Sequence, residues 1–265
     1  KNIYGTKNNL KKKFTILGCG SSLGSPWINQ NWGKCKKNDP RNIRTRCSLH
    51  IHYGPLSLFI DTSPDIRQQM IKNKIKSADG IFYTHEHADQ IAGIFEFRGI
   101  FMSNKNVIPL YCNSQTKRVL KKSYPWLFKN SKYYPKIMYF KSTKDVISIK
   151  KNDAKFKITA FKVEHGLVKT RGYLFDKVAY ISDFKSIPNK SLNLLKNLNY
   201  LIVDCFKYQK WYTHSSFDET MEIIKFLKPK KSILTNLHVD MDYAQLKKKV
   251  PRNVVPAFDG MKINF

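Results

Sequence analysis

The feature that most constrains this chain is the run 79–90, where the apolar stretch Ile81-Phe82-Tyr83 stops abruptly at Thr84-His85-Glu86-His87-Ala88-Asp89-Gln90. This predicts a short buried strand that delivers ligand-type side chains at its end. In extended backbone, residues i and i+2 project to the same side. His85 and His87 can therefore bind one ion while Asp89, as the chain turns, reaches a neighbouring one. The spacing alone is weak evidence. His50 and His52 repeat it in the strand 47–53 and run into the turn Gly54-Pro55 with no carboxylate following. Those two read as structural or solvent-facing, outside the cleft built around His85.

Three further apolar strands end the same way: 156–163 at Glu164-His165-Gly166, 178–181 at Ser182-Asp183, and 232–234 at Thr235-Asn236-Leu237-His238. Any one of these reads equally well as a polar turn after a strand. Four together point to one convergent site.

Between these ends, β-branched and aromatic runs predict strands at 13–18, 47–53, 56–61, 79–84, 145–149, 155–164, 178–182, 199–204, 231–236 and 253–258. Helical spacing appears near 64–74, 114–122, 190–197, 217–228 and 242–249. The Lys/Tyr/Pro-rich stretch 121–144 has no regular pattern, and a connection of that length is either a flexible insertion or a solvated loop. The alternation predicts an α/β fold of two mixed sheets packed face to face with helices outside. With 265 residues, 42% hydrophobic and no internal repeat or linker, residues 1–265 are expected to form a single domain.

No apolar run approaches the roughly 18–20 residues of a membrane span, so no membrane partner is expected. The N-terminus is basic, but the apolar segment after Lys13 is too short for a signal peptide, and whether Lys1 is the true start stays open. Five cysteines, an odd number thinly spread, fit a reducing compartment, and the expected location is cytoplasmic. Cys35 and Cys47 lack the paired spacing of a structural zinc site and read as ordinary thiols.

The formal charge of +29 favours an anionic partner. It comes from 40 Lys and only 8 Arg, spread along the whole chain. Arg is the residue suited to bidentate phosphate and base contacts, so the excess reads as a general cationic surface. An anionic substrate is expected on either reading. Nucleic acid is possible but not favoured, and a homodimer is left open.

The run Thr84 to Gln90 resembles the T-H-x-H-x-D-H signature of the metallo-β-lactamase superfamily. Ile16 to Ser22 resembles that family's opening strand and Gly-rich turn, Phe59 to Thr62 its acid-tipped strand, and Phe258 to Met261 its closing strand. Within the superfamily the chain is most similar to the phosphoribosyl 1,2-cyclic phosphate phosphodiesterase group, through its Ser182-Asp183, Asp204-Cys205 and Thr213-His214 contexts. The Gly18 to Gly24 turn is not a nucleotide P-loop, because no Gly-Lys-Ser/Thr follows it.

The resemblance implies a metallo-β-lactamase αββα sandwich binding one or two Zn²⁺ or Mn²⁺ ions. It makes His85, His87 and His165 the first metal site, Asp89 a ligand of the second, and Asp183 the bridge. Two ions about 3.5 to 4 Å apart can hold a hydroxide as the nucleophile. Two positions depart from the pattern: Gln90 and Asn236 stand where His is usual. Amide oxygens are harder, weaker donors, so site two would favour Mn²⁺ or Mg²⁺, bind loosely, or recruit His238. His214, just ahead of the 217–228 helix, reads as a proton donor or phosphate contact, or as a plain neighbour of the helix cap. Asp89, Asp183 and His214 are the expected catalytic residues.

The expected activity is hydrolysis of a phosphodiester, with a phosphoribosyl cyclic phosphate as the leading substrate. Three alternatives stand beside it: a nuclease or RNA-processing hydrolase, an acyl hydrolase acting on a lactone or thioester, and a catalytically silent binding protein.

Overall fold

The computed structural model describes residues 10–142 and 144–265. The basic segment before Leu10 lies outside the described residues. The first half of the chain contributes β1 (Lys12–Gly18), β2 (Ser48–Tyr53), β3 (Leu56–Ile60), α1 (Ile66–Lys72) and β4 (Gly80–Phe82). It continues through α2 (Ala88–Ile91), α3 (Arg98–Asn104), β5 (Ile108–Tyr111), α4 (Ser114–Ser123) and β6 (Met138–Ser142). The second half supplies β7 (Val146–Lys151), β8 (Ala154–His165), β9 (Val168–Phe175), β10 (Val178–Ile181), α5 (Asn189–Leu192) and β11 (Tyr200–Asp204). It ends with α6 (Phe217–Leu227), β12 (Lys231–Thr235), α7 (Tyr243–Lys249), β13 (Val254–Pro256) and β14 (Met261–Asn264).

The strands form two seven-stranded sheets, ordered β14-β1-β2-β3-β4-β5-β6 and β13-β12-β11-β10-β9-β8-β7. Both are mixed: β3 to β6 and β10 to β13 are parallel, and the remaining neighbours are antiparallel. Strand alternation explains the layering. Leu58, Ile60, Phe82 and Ile202 point between the sheets and join a common core with Phe156, Tyr173 and Tyr180. Phe59, Ile81 and Tyr83 point outward, beneath α1 and the 91–101 helical segment. Leu201, Val203 and Leu234 point outward on the other side, beneath α6 and α7. This is the αββα sandwich expected from the sequence.

Four strands escaped the sequence reading: β5, β6, β9 and β14. In β9 the pattern is broken by Lys169, Arg171 and Gly172, yet Gly172 is in register with Phe161. A Cβ at Gly172 would run into the Phe161 ring, so the glycine is a packing requirement and not a turn. β6 lies inside the stretch 121–144, as the edge strand of its sheet. The helix expected over 190–197 ends at Leu192. Residues 258–260 form the turn into the last strand, which begins at Met261.

Parallel strands ending side by side create the functional end of the molecule. β3, β4, β10, β11 and β12 deliver Asp61, Thr84 to His87, Asp183, Asp204 and Asn236, and β8 delivers His165 from the same side. No helix of the described residues is long and apolar enough to cross a membrane.

Candidate metal centre

His85, His87, His165 and Asp183 each offer one ligand atom, and these atoms lie within 4.8 Å of one another. The three imidazole rings form a triangle, with centroids 4.5 Å apart for His85 and His87 and 5.3 Å from each to His165. His85 Nε2 lies 2.9 Å from His87 Nδ1 and 3.3 Å from Asp183 Oδ2. His165 Nε2 is 4.0 Å from the same carboxylate oxygen.

The ring orientations are set from behind. His165 Nδ1 can only donate to the Thr213 carbonyl, 2.7 Å away, which leaves Nε2 as a lone-pair donor facing the cluster. Thr84 Oγ1 donates to Asp61 Oδ2 at 2.9 Å, and the Thr84 amide donates to Oδ1 at 2.8 Å. With its one proton committed, the hydroxyl accepts from His85 Nδ1 at 2.9 Å, so His85 Nε2 is likewise bare. Asp61 sits at φ +62, a left-handed conformation that Asp tolerates better than most residues. Burial raises its carboxyl, while the two Thr84 hydrogen bonds and the neighbouring His85 favour the charged form that accepts them.

The donor set fits a divalent cation: three imidazoles whose free nitrogens converge on a buried carboxylate. Burial works against charge on His85, but the Asp183 carboxylate outweighs it and raises the imidazole's affinity for a proton. A site that attracts positive charge this way is suited to a metal ion. Burial lowers His165 to about 4, so its lone pair is available through neutral pH.

A second group adjoins the first through Asp183, formed by Asp183, Asp204 and His214. Asp204 Oδ2 lies 2.9 Å from His214 Nδ1, and Phe206 stacks on the imidazole at 4.7 Å. Burial opposes charge on His214, yet Asp204 and Asp183 push it up to about 9. Burial and neighbouring Asp183 also raise Asp204, so the pair holds a proton through neutral pH.

The amides occupy the remaining space. Asn236 Nδ2 donates to Asp183 Oδ1 and to Asp204 Oδ1, both at 3.1 Å. Gln90 Nε2 donates to Asp89 Oδ2 at 3.0 Å and to Asp183 Oδ2 at 3.4 Å, while Gln90 Oε1 is buried without a hydrogen-bond partner. Burial, then the Asp183 charge, raises Asp89 to about 6.

The structure thus brings His85, His87, Asp89, Gln90, His165, Asp183, His214 and Asn236 to one place. His238 is held elsewhere: it pairs with Asp240 Oδ2 at 3.2 Å and packs edge-on against Trp27 and Phe206. His50 and His52 lie on β2 and line a different cavity, with His50 Nε2 2.9 Å from Ser57 Oγ. Sequence reasoning gave no role to Asp204, Asp61 or Ser22, although Asp204 ends an apolar strand just as Asp183 does. The cleft over the cluster has a volume of about 430 Å³, and Ser22, Leu167 and Thr213 complete its wall. All five cysteines are free and buried, as expected of ordinary thiols.

An αββα sandwich carrying a His/Asp cluster at the strand ends defines a metal-dependent hydrolase. Residues 57–236 match the family model described as the Beta-lactamase superfamily domain, and the chain belongs to that superfamily. It is similar to the crystal structure described as a new diphosphatase from the PhnP family, at 32% identity and a TM-score of 0.85 over 96% of this chain and 97% of that one. It is also similar to the short form of human tRNase Z, at 16% identity and a TM-score of 0.68, over 95% and 98% of the two chains. A curated octanoyltransferase of Porphyromonas gingivalis is 25% identical over 251 residues, 93% of this chain, which spans only 50% of that protein's length.

Proposed function

We propose that this chain hydrolyses a phosphodiester, with a phosphoribosyl cyclic phosphate as the leading candidate, using a divalent ion held by His85, His87, His165 and Asp183. The observation that carries the reading is the juxtaposition, across Asp183, of a three-imidazole cluster and a proton-holding His214–Asp204 pair in one cleft. Zn²⁺ or Mn²⁺ in that cluster would supply charge neutralisation and water activation.

This chain's own residues do the rest. Asp183 and the bare nitrogens of His85 and His165 would hold the ion. His214, with Nδ1 engaged by Asp204, offers Nε2 as the proton donor to the departing oxygen. Asp89 stands at the cleft wall as a second carboxylate. Likeness to a diphosphatase and a tRNase Z supports phosphate chemistry over lactone or thioester hydrolysis. The five free, buried thiols support a reducing, cytoplasmic setting.

Metal analysis of the purified chain, paired with a screen of linear phosphodiester, cyclic phosphate, lactone and thioester substrates, tests the proposal. Hydrolysis of a phosphodiester that chelator treatment abolishes is the expected result. A metal-loaded protein that turns over only the thioester or lactone would overturn it.

A further inference from the structure

The outer face of the first sheet carries a feature that the metal cleft does not use. Lys13 and Thr15 on β1 alternate outward, and the register sets Lys13 opposite His52 and Thr15 between His50 and Lys262. Ser57 on β3 stands opposite His52. The α1–β4 connection adds Lys74 and Lys76, and these groups enclose a cavity of about 210 Å³. At roughly 30 Å³ per water, it holds a phosphate group and part of its ester.

The floor is built and the walls are cationic. His50, Thr15 and Ser57 are buried. Ser57 Oγ donates to the Ser77 carbonyl at 2.6 Å and so accepts from His50 Nε2, which fixes the neutral tautomer with the imidazole packed on Phe59. Among the described residues, no carboxylate lines the cavity. The acid that holds the Ser57 amide, Asp79, is engaged by Lys151 Nζ at 2.6 Å. Among the described residues, none of Lys13, Lys74, Lys76 and Lys262 has a carboxylate partner within ion-pair distance. A concave wall lined by charges of one sign concentrates the field. Burial first, and then neighbouring cationic groups including Lys13, hold both His50 and His52 below the usual imidazole range.

We propose that this cavity is a second anion site, binding a phosphate group between the amines of Lys13, Lys74, Lys76 and Lys262 over a floor of Thr15 and His50. Ammonium groups bind phosphate as point charges, and four without acidic partners leave the anion's oxygens room to choose among them. Ser57 lies at the start of β3 and Asp61 just past its end, roughly 13 Å apart at about 3.3 Å per residue. The site is therefore separate from the catalytic cleft.

The test titrates the full chain with inorganic phosphate and, separately, with a uridine 20-mer at about 0.15 M salt. The ring signals of His50 and His52 in NMR report on this cavity and not on the cleft. Lys13→Gln/Lys76→Gln should weaken one of the two probes about tenfold, with hydrolysis of bis(p-nitrophenyl) phosphate within roughly twofold of the parent. Loss of inorganic phosphate marks a small phosphate ligand; loss of the 20-mer alone marks a nucleic-acid backbone as the source. The control pair Lys121→Gln/Lys132→Gln, on exposed lysines elsewhere, should change neither. The proposal fails if the cavity variant binds both probes like the parent, or if the control variant loses as much.

Discussion

Asp204 and His214 meet Oδ2 to Nδ1 at 2.9 Å, and the carboxylate is fully buried while the imidazole lines the cleft. A buried acid that engages one ring nitrogen leaves the other for substrate. Replacing His214 by Ala should lower turnover by roughly 10² to 10⁴ with metal content unchanged, the usual contribution of a general acid. If turnover on an alkyl phosphodiester were unaffected at saturating metal, the proton-donor role would be wrong.

The same pair sets a pH dependence. Asp204 and Asp183 push His214 up to about 9 against the effect of burial, so the acid form persists into the alkaline range. Asp204→Asn removes the larger of those two supports, and the imidazole should fall toward its ordinary range near pH 6.5. The alkaline limb of kcat should therefore move to lower pH in the variant. An unmoved limb in the kcat profile would assign that titration to another group.

Asp183 touches both clusters but adds little to the apolar core. Asp183→Ala should abolish hydrolysis and bound metal while far- and near-ultraviolet circular dichroism stay native. Thr84→Val acts one step further out, by freeing His85 Nδ1 and leaving Asp61 short of a donor. A loss of about 10- to 100-fold in metal affinity is the expected outcome. Competition with a chelator of known affinity measures it, and an unchanged affinity would remove Thr84 from the orienting shell.

Much of this site was legible because ligands sit where strands stop: His85 and Asp183 close continuous hydrophobic runs, and His165 closes a strand that alternates buried and exposed residues. The sandwich was legible for the same reason, since Leu58-Phe59-Ile60 and Leu201-Ile202-Val203 feed cores on both faces of a strand. What stayed hidden depends on distant partners. Asp61 acts through Thr84, 23 positions later, and His165 is oriented by a backbone carbonyl, which leaves no trace in a side-chain pattern. β9 was hidden because its glycine answers to Phe161 on the neighbouring strand.

Gln90 and Asn236 turn their amide nitrogens toward the Asp183 carboxylate, where a second cation would otherwise draw on its oxygens. Asn236 also sits at φ +57, a conformation that gives Asn a backbone reason to occupy the position. One tightly held ion per chain is the expected stoichiometry, with any second ion weak because amides are poorer donors than imidazoles. The double variant Gln90→His/Asn236→His should take up a second ion. Elemental analysis after desalting decides it: a parent that retains two ions would show that the amides do not limit the second site.

His50 supplies a test of stability that is independent of the metal. It is buried, its Nε2 is committed to Ser57, and burial together with the charges of His52 and Lys13 pushes it down to about 3. In the unfolded chain the imidazole titrates near 6.5. Between those values the unfolded state binds a proton that the folded state refuses, so stability falls as pH drops below about 6.5. The maximum slope is about 1.4 kcal/mol per pH unit. Urea unfolding of the parent and of His50→Gln at pH 7.5 and 5.5, in phosphate-free buffer, cancels the groups common to both. The parent should lose roughly 1 kcal/mol more than the variant across that interval. Equal losses would mean that His50 accepts its proton in the folded protein, with the Ser57 hydrogen bond no barrier to it.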